Sequence, residues 1–245
     1  MLSSSEVKYI KSLSQKKFRD LFGVFTVEGE KLVEEAVRSG FRVEKVYRRE
    51  EIGEAAMARI SSLSSPSPVL AVIRSDSADR LPSVPGKGLY LALDGIRDPG
   101  NMGTILRIAD WFGLDGVYMS PDSVEVFNPK VVQATMGAIF RVPFRSLSIP
   151  DLCKAVSDKG GSVWGTFLDG RNIYESEIDG KGDESPSVIV IGNESNGISP
   201  ETAAHVTGRL FIPPFPEGER RSESLNAAVA TAVAVAEFRR RAAQR

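Results

Sequence analysis

Short apolar runs alternate with helix-spaced stretches along the whole chain. Val24-Phe25-Thr26-Val27 reads as a strand. In residues 28–39, Leu32, Ala36 and Val37 recur at helical spacing, and Gly40 is a C-terminal stop. Residues 43–46 and 69–73 read as further strands, and a polar, Ser- and Pro-rich loop occupies 61–68. This front section predicts a small α/β layer. Beyond it, residues 89–93 form an apolar strand, and 101–112 a helix whose inner face is Ile105, Ile108, Ala109 and Phe112. Residues 116–119 read as a strand, and 129–137 as a helix with proline near its first turn, where a missing N–H costs nothing. Residues 163–167, 188–191 and 209–212 are three more strands, and 223–241 a closing helix. Short strands apolar on both faces, joined by helical crossovers, predict a parallel sheet.

A polar, Pro- and Gly-rich stretch at 75–88 marks the natural boundary. The expected layout is a small domain at 1–80, a linker at 81–87 and a larger domain at 88–245. The 245 residues carry a net charge of -1, which divides into +2 for residues 1–80 and -3 for the rest. Such a balance gives no global warrant for a nucleic-acid partner, although a local patch survives it. A single cysteine, Cys153, excludes an internal disulfide and any multi-cysteine metal site. The single histidine, His205, leaves little for a His-rich metal centre or two-histidine acid–base chemistry. No apolar stretch follows the first residues, so no secretory leader is expected. The apolar run at 227–236 spans ten residues, against about 20 needed to cross a bilayer. A cytoplasmic protein without a membrane or metal partner is the expectation.

Standard nucleotide loops fail on inspection. Gly86-Lys87-Gly88 precedes its strand instead of following one, and no Walker-type loop is present. The Gly192–Gly197 stretch lacks the glycine spacing of a nucleophile elbow around Ser195. What remains is three polar loops at the C-terminal ends of expected parallel strands, where open α/β sheets bind ligands. The first runs from Asp94 to Gly103 into a helix that carries Arg107. Arg107 either reaches back towards Asn101 or pairs with Asp110. The second is Gly192-Asn193-Glu194-Ser195-Asn196-Gly197, in which Glu194 is either a helix cap or an acceptor for a ligand. The third leads from Ile212-Pro213 to Ser224-Leu225-Asn226. Within it Ser222 or Ser224 is a candidate cap for the last helix, and Arg220-Arg221 is either a solvated turn or a phosphate contact.

Taken together, Asn101-x-Gly103-x-x-x-Arg107, the stretch from Ile191 to Ile198, and Ile212-Pro213 with Ser224-Leu225-Asn226 resemble the SpoU/TrmH family of RNA 2'-O-ribose methyltransferases, in the SPOUT superfamily. Residues 1–80, with Phe25-Thr26-Val27-Glu28-Gly29, look like that family's L30e-like substrate-binding domain. The resemblance implies a parallel-sheet methyltransferase domain with a C-terminal trefoil knot, S-adenosyl-L-methionine as cofactor, and an active site formed across a homodimer. It assigns cofactor contacts to Thr166, Gly192, Ile212 and Leu225. Arg107 becomes the catalytic arginine, with Asn101, Glu194, Ser224 and Asn226 as polar residues that bind RNA or orient it. Two departures stand out: Ser195 lies where the family often has glycine, and the 212–224 span is longer than the common form.

The implied chemistry suits these residue types, because methyl transfer to a ribose 2'-hydroxyl needs alignment and proton removal, and neither a metal nor a covalent enzyme intermediate. Arginine stays protonated at working pH, so Arg107 acts either on phosphate and developing alkoxide or, if unusually perturbed, as a base. Lys16, Lys17 and Arg19 are candidate contacts to the backbone of structured RNA, ribosomal or transfer, as are Arg220 and Arg221. Phe18 and Phe25 are candidates for base stacking or for the core, with Phe25 placed in the core by its strand. Arg239-Arg240-Arg241 is either a further RNA contact or favourable charge at a helix end. A protein that keeps this fold but only binds RNA, or assists ribosome assembly, is the alternative reading.

Overall fold

The computed structural model describes residues 2–75, 81–178, 185–216 and 224–244, in two compact units: residues 1–78 with 125–141, and residues 79–124 with 142–245. In the smaller unit α1 (Ser4–Ser12) opens with a capping box between Ser3 and Glu6, which satisfies two otherwise orphan backbone donors. Next come α2 (Lys16–Phe22), β1 (Val24–Glu28), α3 (Glu30–Arg38), β2 (Val43–Arg48), α4 (Arg49–Ile52), α5 (Glu54–Ile60) and β3 (Val69–Arg74). The three strands form an antiparallel sheet in the order β1-β3-β2. Val7, Ile10, Leu13, Met57, Leu70 and Val72 pack into one buried cluster beside it.

Helix α3 starts two residues later than the pattern predicts, because Glu28 closes the strand. Its buried carboxylate accepts hydrogen bonds from Ser61 Oγ and from Ser62 N and Oγ. Burying a carboxylate is tolerable only with such partners.

The larger unit contains β4 (Gly88–Asp94), α6 (Pro99–Trp111) and β5 (Gly116–Met119). The following helix α7 (Pro129–Thr135) belongs instead to the smaller unit, where Phe127 just before it stacks on the fully buried Phe25 at 4.4 Å. The chain then returns through β6 (Phe144–Ser146), α8 (Ile149–Asp158), β7 (Ser162–Asn172), β8 (Pro186–Gly192), α9 (Pro200–Ala203), β9 (Gly208–Phe211) and α10 (Ala227–Ala242). Six strands pair in parallel in the order β6-β5-β4-β8-β7-β9, the parallel sheet expected from the apolar runs. Strands β4 and β8 are neighbours although far apart in sequence, so the order reverses between them and a crevice opens at their C-terminal ends.

Three details depart from the pattern. Strand β6 and helix α8 fall in a stretch where periodicity gave no element. The buried face of α6 is Met102, Ile105, Leu106 and Ala109, one stripe at helical spacing; Ile108 lies beside that stripe and Phe112 at the cap beyond the helix, and both are only half-buried. Helix α10 begins at Ala227 and not at 223, since Asn226 caps it by accepting from Ala228 N and Val229 N. That assigns the cap to Asn226 and not to Ser224; Ser222 lies outside the described residues.

Candidate active site

Strand β4 ends in Asp94, a buried carboxylate whose Oδ2 accepts from both the backbone N and the hydroxyl of Ser199, each at 2.8 Å. Ser199 in turn caps α9. One residue on, Gly95 O accepts from Asn193 Nδ2 at 2.7 Å. Asn193 also closes its own loop: its backbone pairs both ways with Gly197, and its Oδ1 accepts from Ser195 N and Asn196 N. Two buried or half-buried polar residues thus tie the loop after β8 to the loop after β4. Such hydrogen bonds matter because an unsatisfied buried acceptor would cost about 1–3 kcal/mol.

The third loop joins through Asn101. Asp98 caps α6 by accepting from Asn101 N at 2.8 Å. The Asn101 side chain donates through Nδ2 to Glu194 Oε1 at 2.7 Å and accepts through Oδ1 from Asn226 Nδ2 at 2.9 Å. Both ends of the amide are engaged, so its orientation is fixed by a carboxylate that can only accept and an amide that here donates. Asn101, Glu194 and Asn226, separated by 93 and 125 residues in sequence, therefore form one rim.

Beside this rim lies a cleft of about 590 Å³, within the usual range for small-molecule sites. It is bounded by the ends of β7, β8 and β9 and the start of α10. Its lining includes Thr166, Gly192, Ile212 and Leu225 together with Glu194 and Ser224, so these six positions share one site. Gly192 has no room for a side chain: a Cβ there would lie 2.2 Å from the backbone of Gly197 and Ile198. The close approach keeps the β8 loop folded against its own base. Thr166 Oγ1 donates to Val190 O at 3.2 Å, which ties β7 to β8 at the edge of the cleft.

Arg107 stands apart from the rim. It is exposed on α6, and makes no hydrogen bond or ion pair with a described residue, Asp110 included. The basic run at the front divides. Lys16 pairs with Asp20 in an exposed i,i+4 bridge, and Lys17 lies 4.7 Å from the Phe18 ring centroid. Arg19 is only 4% exposed; its guanidinium holds Glu125 at 2.5 Å and donates to Leu13 O at 2.8 Å. Nε, Nη1 and Nη2 each donate inside the unit and the side chain is buried, which corrects the expectation of a phosphate contact there. Arg220 and Arg221 lie outside the described residues.

The carboxyl-end arginines are structural too. Arg239 Nε donates to Phe112 O at 2.8 Å, at the end of α6. Arg240 and Arg241 grip Glu237, whose carboxyl is held down to about 2, chiefly by the Arg240 hydrogen bond and then by Arg241. Burial, with a smaller push from Asp94, raises the Cys153 thiol to about 12, so it stays protonated and is no nucleophile. Among the described residues, no three His, Cys, Asp or Glu side chains are grouped to hold a metal ion, and no helix is long and apolar enough to cross a membrane.

Sequence reasoning missed Asp94 and Ser199 and gave Asn193 no role. One signal was available: Ser199-Pro200 is a helix start, and a capping serine next to a candidate loop has a hydroxyl to share.

Residues 88–236 match the SpoU rRNA Methylase family, and residues 4–73 match the MRM3-like substrate binding domain. Among curated proteins, the 23S rRNA (guanosine(2553)-2'-O)-methyltransferase RlmP of Bacillus subtilis is 29% identical, with 96% of each chain covered. Among solved structures, a TrmH-family protein of Porphyromonas gingivalis is 38% identical with a TM-score of 0.86, covering 98% of this chain and 99% of that one. An AdoMet-bound rRNA methyltransferase of Sinorhizobium meliloti is 30% identical with a TM-score of 0.84, covering 98% and 97%.

Proposed function

The chain belongs to the SpoU rRNA methylase family, and on that premise we propose that it uses S-adenosyl-L-methionine to methylate a ribose 2'-hydroxyl of structured RNA, ribosomal before transfer RNA. The observation that carries this reading is the joining of three distant loops by Asn101, Glu194 and Asn226 at the rim of one cleft. The cleft suits the cofactor in size, in its apolar wall of Ile191, Leu210 and Ala227, and in the side-chain-free approach at Gly192. Thr166, Gly192, Ile212 and Leu225 would hold it. When bound, the cofactor supplies a sulfonium with an electrophilic methyl group. The choice of ribose and of ribosomal RNA is supported by the name of the Bacillus relative.

The residues of this chain then have an alignment problem to solve. Ribose oxygen must lie in line with the transferred methyl, which positioning alone makes several powers of ten faster. Glu194, held by Asn101, and the hydroxyl of Ser224 give the rim acceptors and donors for a ribose and its neighbours. Arg107 pairs with no described residue, and a planar guanidinium fork grips a phosphate and steadies a developing alkoxide. Proton loss is assisted by that phosphate, so no neutral arginine is required.

Arg107, unpaired among the described residues, also supports a site shared between two copies. Trp111 on the same helix is 85% exposed and Val229 on α10 is 49% exposed, an apolar surface that a second copy would cover. In this reading one protomer's Arg107 completes the cleft of its partner. Residues 1–80, with Lys16 and Lys17 exposed, act as the RNA-binding domain of a cytoplasmic homodimer, and the larger domain threads a C-terminal trefoil knot.

The test is transfer of labelled methyl to RNA from a strain lacking this protein, with wild type beside Arg107→Ala. Incorporation by wild type, lost in the variant while RNA binding persists, is expected. Cofactor binding without incorporation into any unmodified pool would instead favour an RNA-binding or ribosome-assembly role.

A further inference from the structure

Strand β7 leaves its register against β9 between Thr166 and Arg171, so residues 167–170 bulge out beside the cleft. Phe167 and Leu168 from this bulge line the cleft. The Phe167 ring folds back over Gly165, where a Cβ would sit 2.4 Å from the ring's Cε2. Above the same ring lies the guanidinium of Arg209 from β9, its central carbon 3.5 Å from the centroid. Arg209 also donates through Nη2 to Asp169 Oδ1, two residues further round the bulge.

We infer that Arg209 is a positioning residue for the cofactor: stacked on Phe167 and paired with Asp169, it holds the 167–170 bulge in place as one wall of the cleft. The inference rests on the cofactor reading of that cleft. A bulge has lost its ladder hydrogen bonds and needs another restraint. The ion pair is a weak one, because both partners are substantially exposed, Asp169 at 75% and Arg209 at 43%. The stack is the stronger contact, since a flat, weakly hydrated guanidinium covers an aromatic face that would otherwise face water. Lysine keeps the charge for Asp169 but not the flat stack, so the two contacts can be separated by substitution.

The experiment is calorimetric titration of the full-length protein with S-adenosylhomocysteine, for wild type, Arg209→Ala, Arg209→Lys and Asp169→Asn. Arg209→Ala is expected to weaken binding about tenfold and Arg209→Lys about threefold, with Asp169→Asn within about twofold of wild type. In steady-state transfer the cofactor KM of Arg209→Ala should rise by the same factor while kcat and RNA affinity hold, a split that general loosening of the fold would not give. Wild-type affinity in Arg209→Ala would overturn the inference and leave the cofactor reading intact. A wild type that binds no S-adenosylhomocysteine would overturn both. If Arg209→Ala fails to fold, Arg209→Lys decides, and wild-type affinity there overturns the proposal.

Discussion

Arg19 on α2 and Arg107 on α6 are both helical arginines, yet one is 4% exposed and locked onto Glu125 while the other is exposed and without a described partner. The same contrast runs through their regions. At the front of the smaller unit a run of like charges resolves into unlike tasks: Lys16 and Lys17 are solvated, whereas Arg19 pins a residue 106 positions away. In the loop cluster of the larger unit Asp94, Asn101, Asn193, Glu194 and Asn226 are each tied to another loop, whereas Arg107 on α6 pairs with no described residue. What a charged residue does is therefore decided by the distant partner that satisfies it. Where no partner exists among the described residues, a ligand or a second copy is the natural candidate.

The largest effect that would sharpen this contrast is on catalysis. Arg107→Ala and Glu194→Ala should each lower initial methyl-transfer rates by about 10²–10³-fold, as loss of one group that stabilises transition-state charge does. Equal mixing of the two after dissociation and reassociation should restore about a quarter of the sites, because half the dimers then carry one intact set. No recovery would break the shared-site reading. Next comes Arg19→Ala, which strands a largely buried Glu125 carboxylate and should cost about 3 kcal/mol in urea unfolding, with activity per folded molecule unchanged. Ser199→Ala removes one of two donors to Asp94. It should weaken S-adenosylhomocysteine binding by about 1 kcal/mol in titration, since the backbone donor remains. Smallest is Lys17→Ala: RNA affinity should fall only a few-fold, and the slope of log affinity against log salt should drop by about 1.

Much of this architecture was legible because strands buried on both faces announce themselves as continuous apolar runs. β4 and β8 stand at Leu89–Leu93 and Val188–Ile191 with hardly a polar interruption. Loops gave their positions for a related reason, since glycine and asparagine cluster where backbone must turn tightly, as at Gly192–Gly197. The inner face of α6 was misjudged because its buried stripe is Met102, Ile105, Leu106 and Ala109, of which the apolar spacing gave only Ile105 and Ala109, and Phe112 already lies at the cap beyond the helix. Arg19 was misjudged for a different reason: its partner Glu125 is remote in sequence, and nothing local distinguishes a buried pair from a solvated lysine neighbour. Asp94 shows the same limit, because its only sign is a strand-end carboxylate, and the donor from Ser199 lies 105 residues further along.

The central claim is that the rim and cleft act together on a ribose oxygen. The most direct test is alkaline hydrolysis of RNA labelled by the wild-type protein, because cleavage by base needs a free 2'-hydroxyl next to the phosphate. The account predicts that the label appears in an alkali-resistant dinucleotide. Label recovered in ordinary mononucleotides would mean a methylated base and would contradict it.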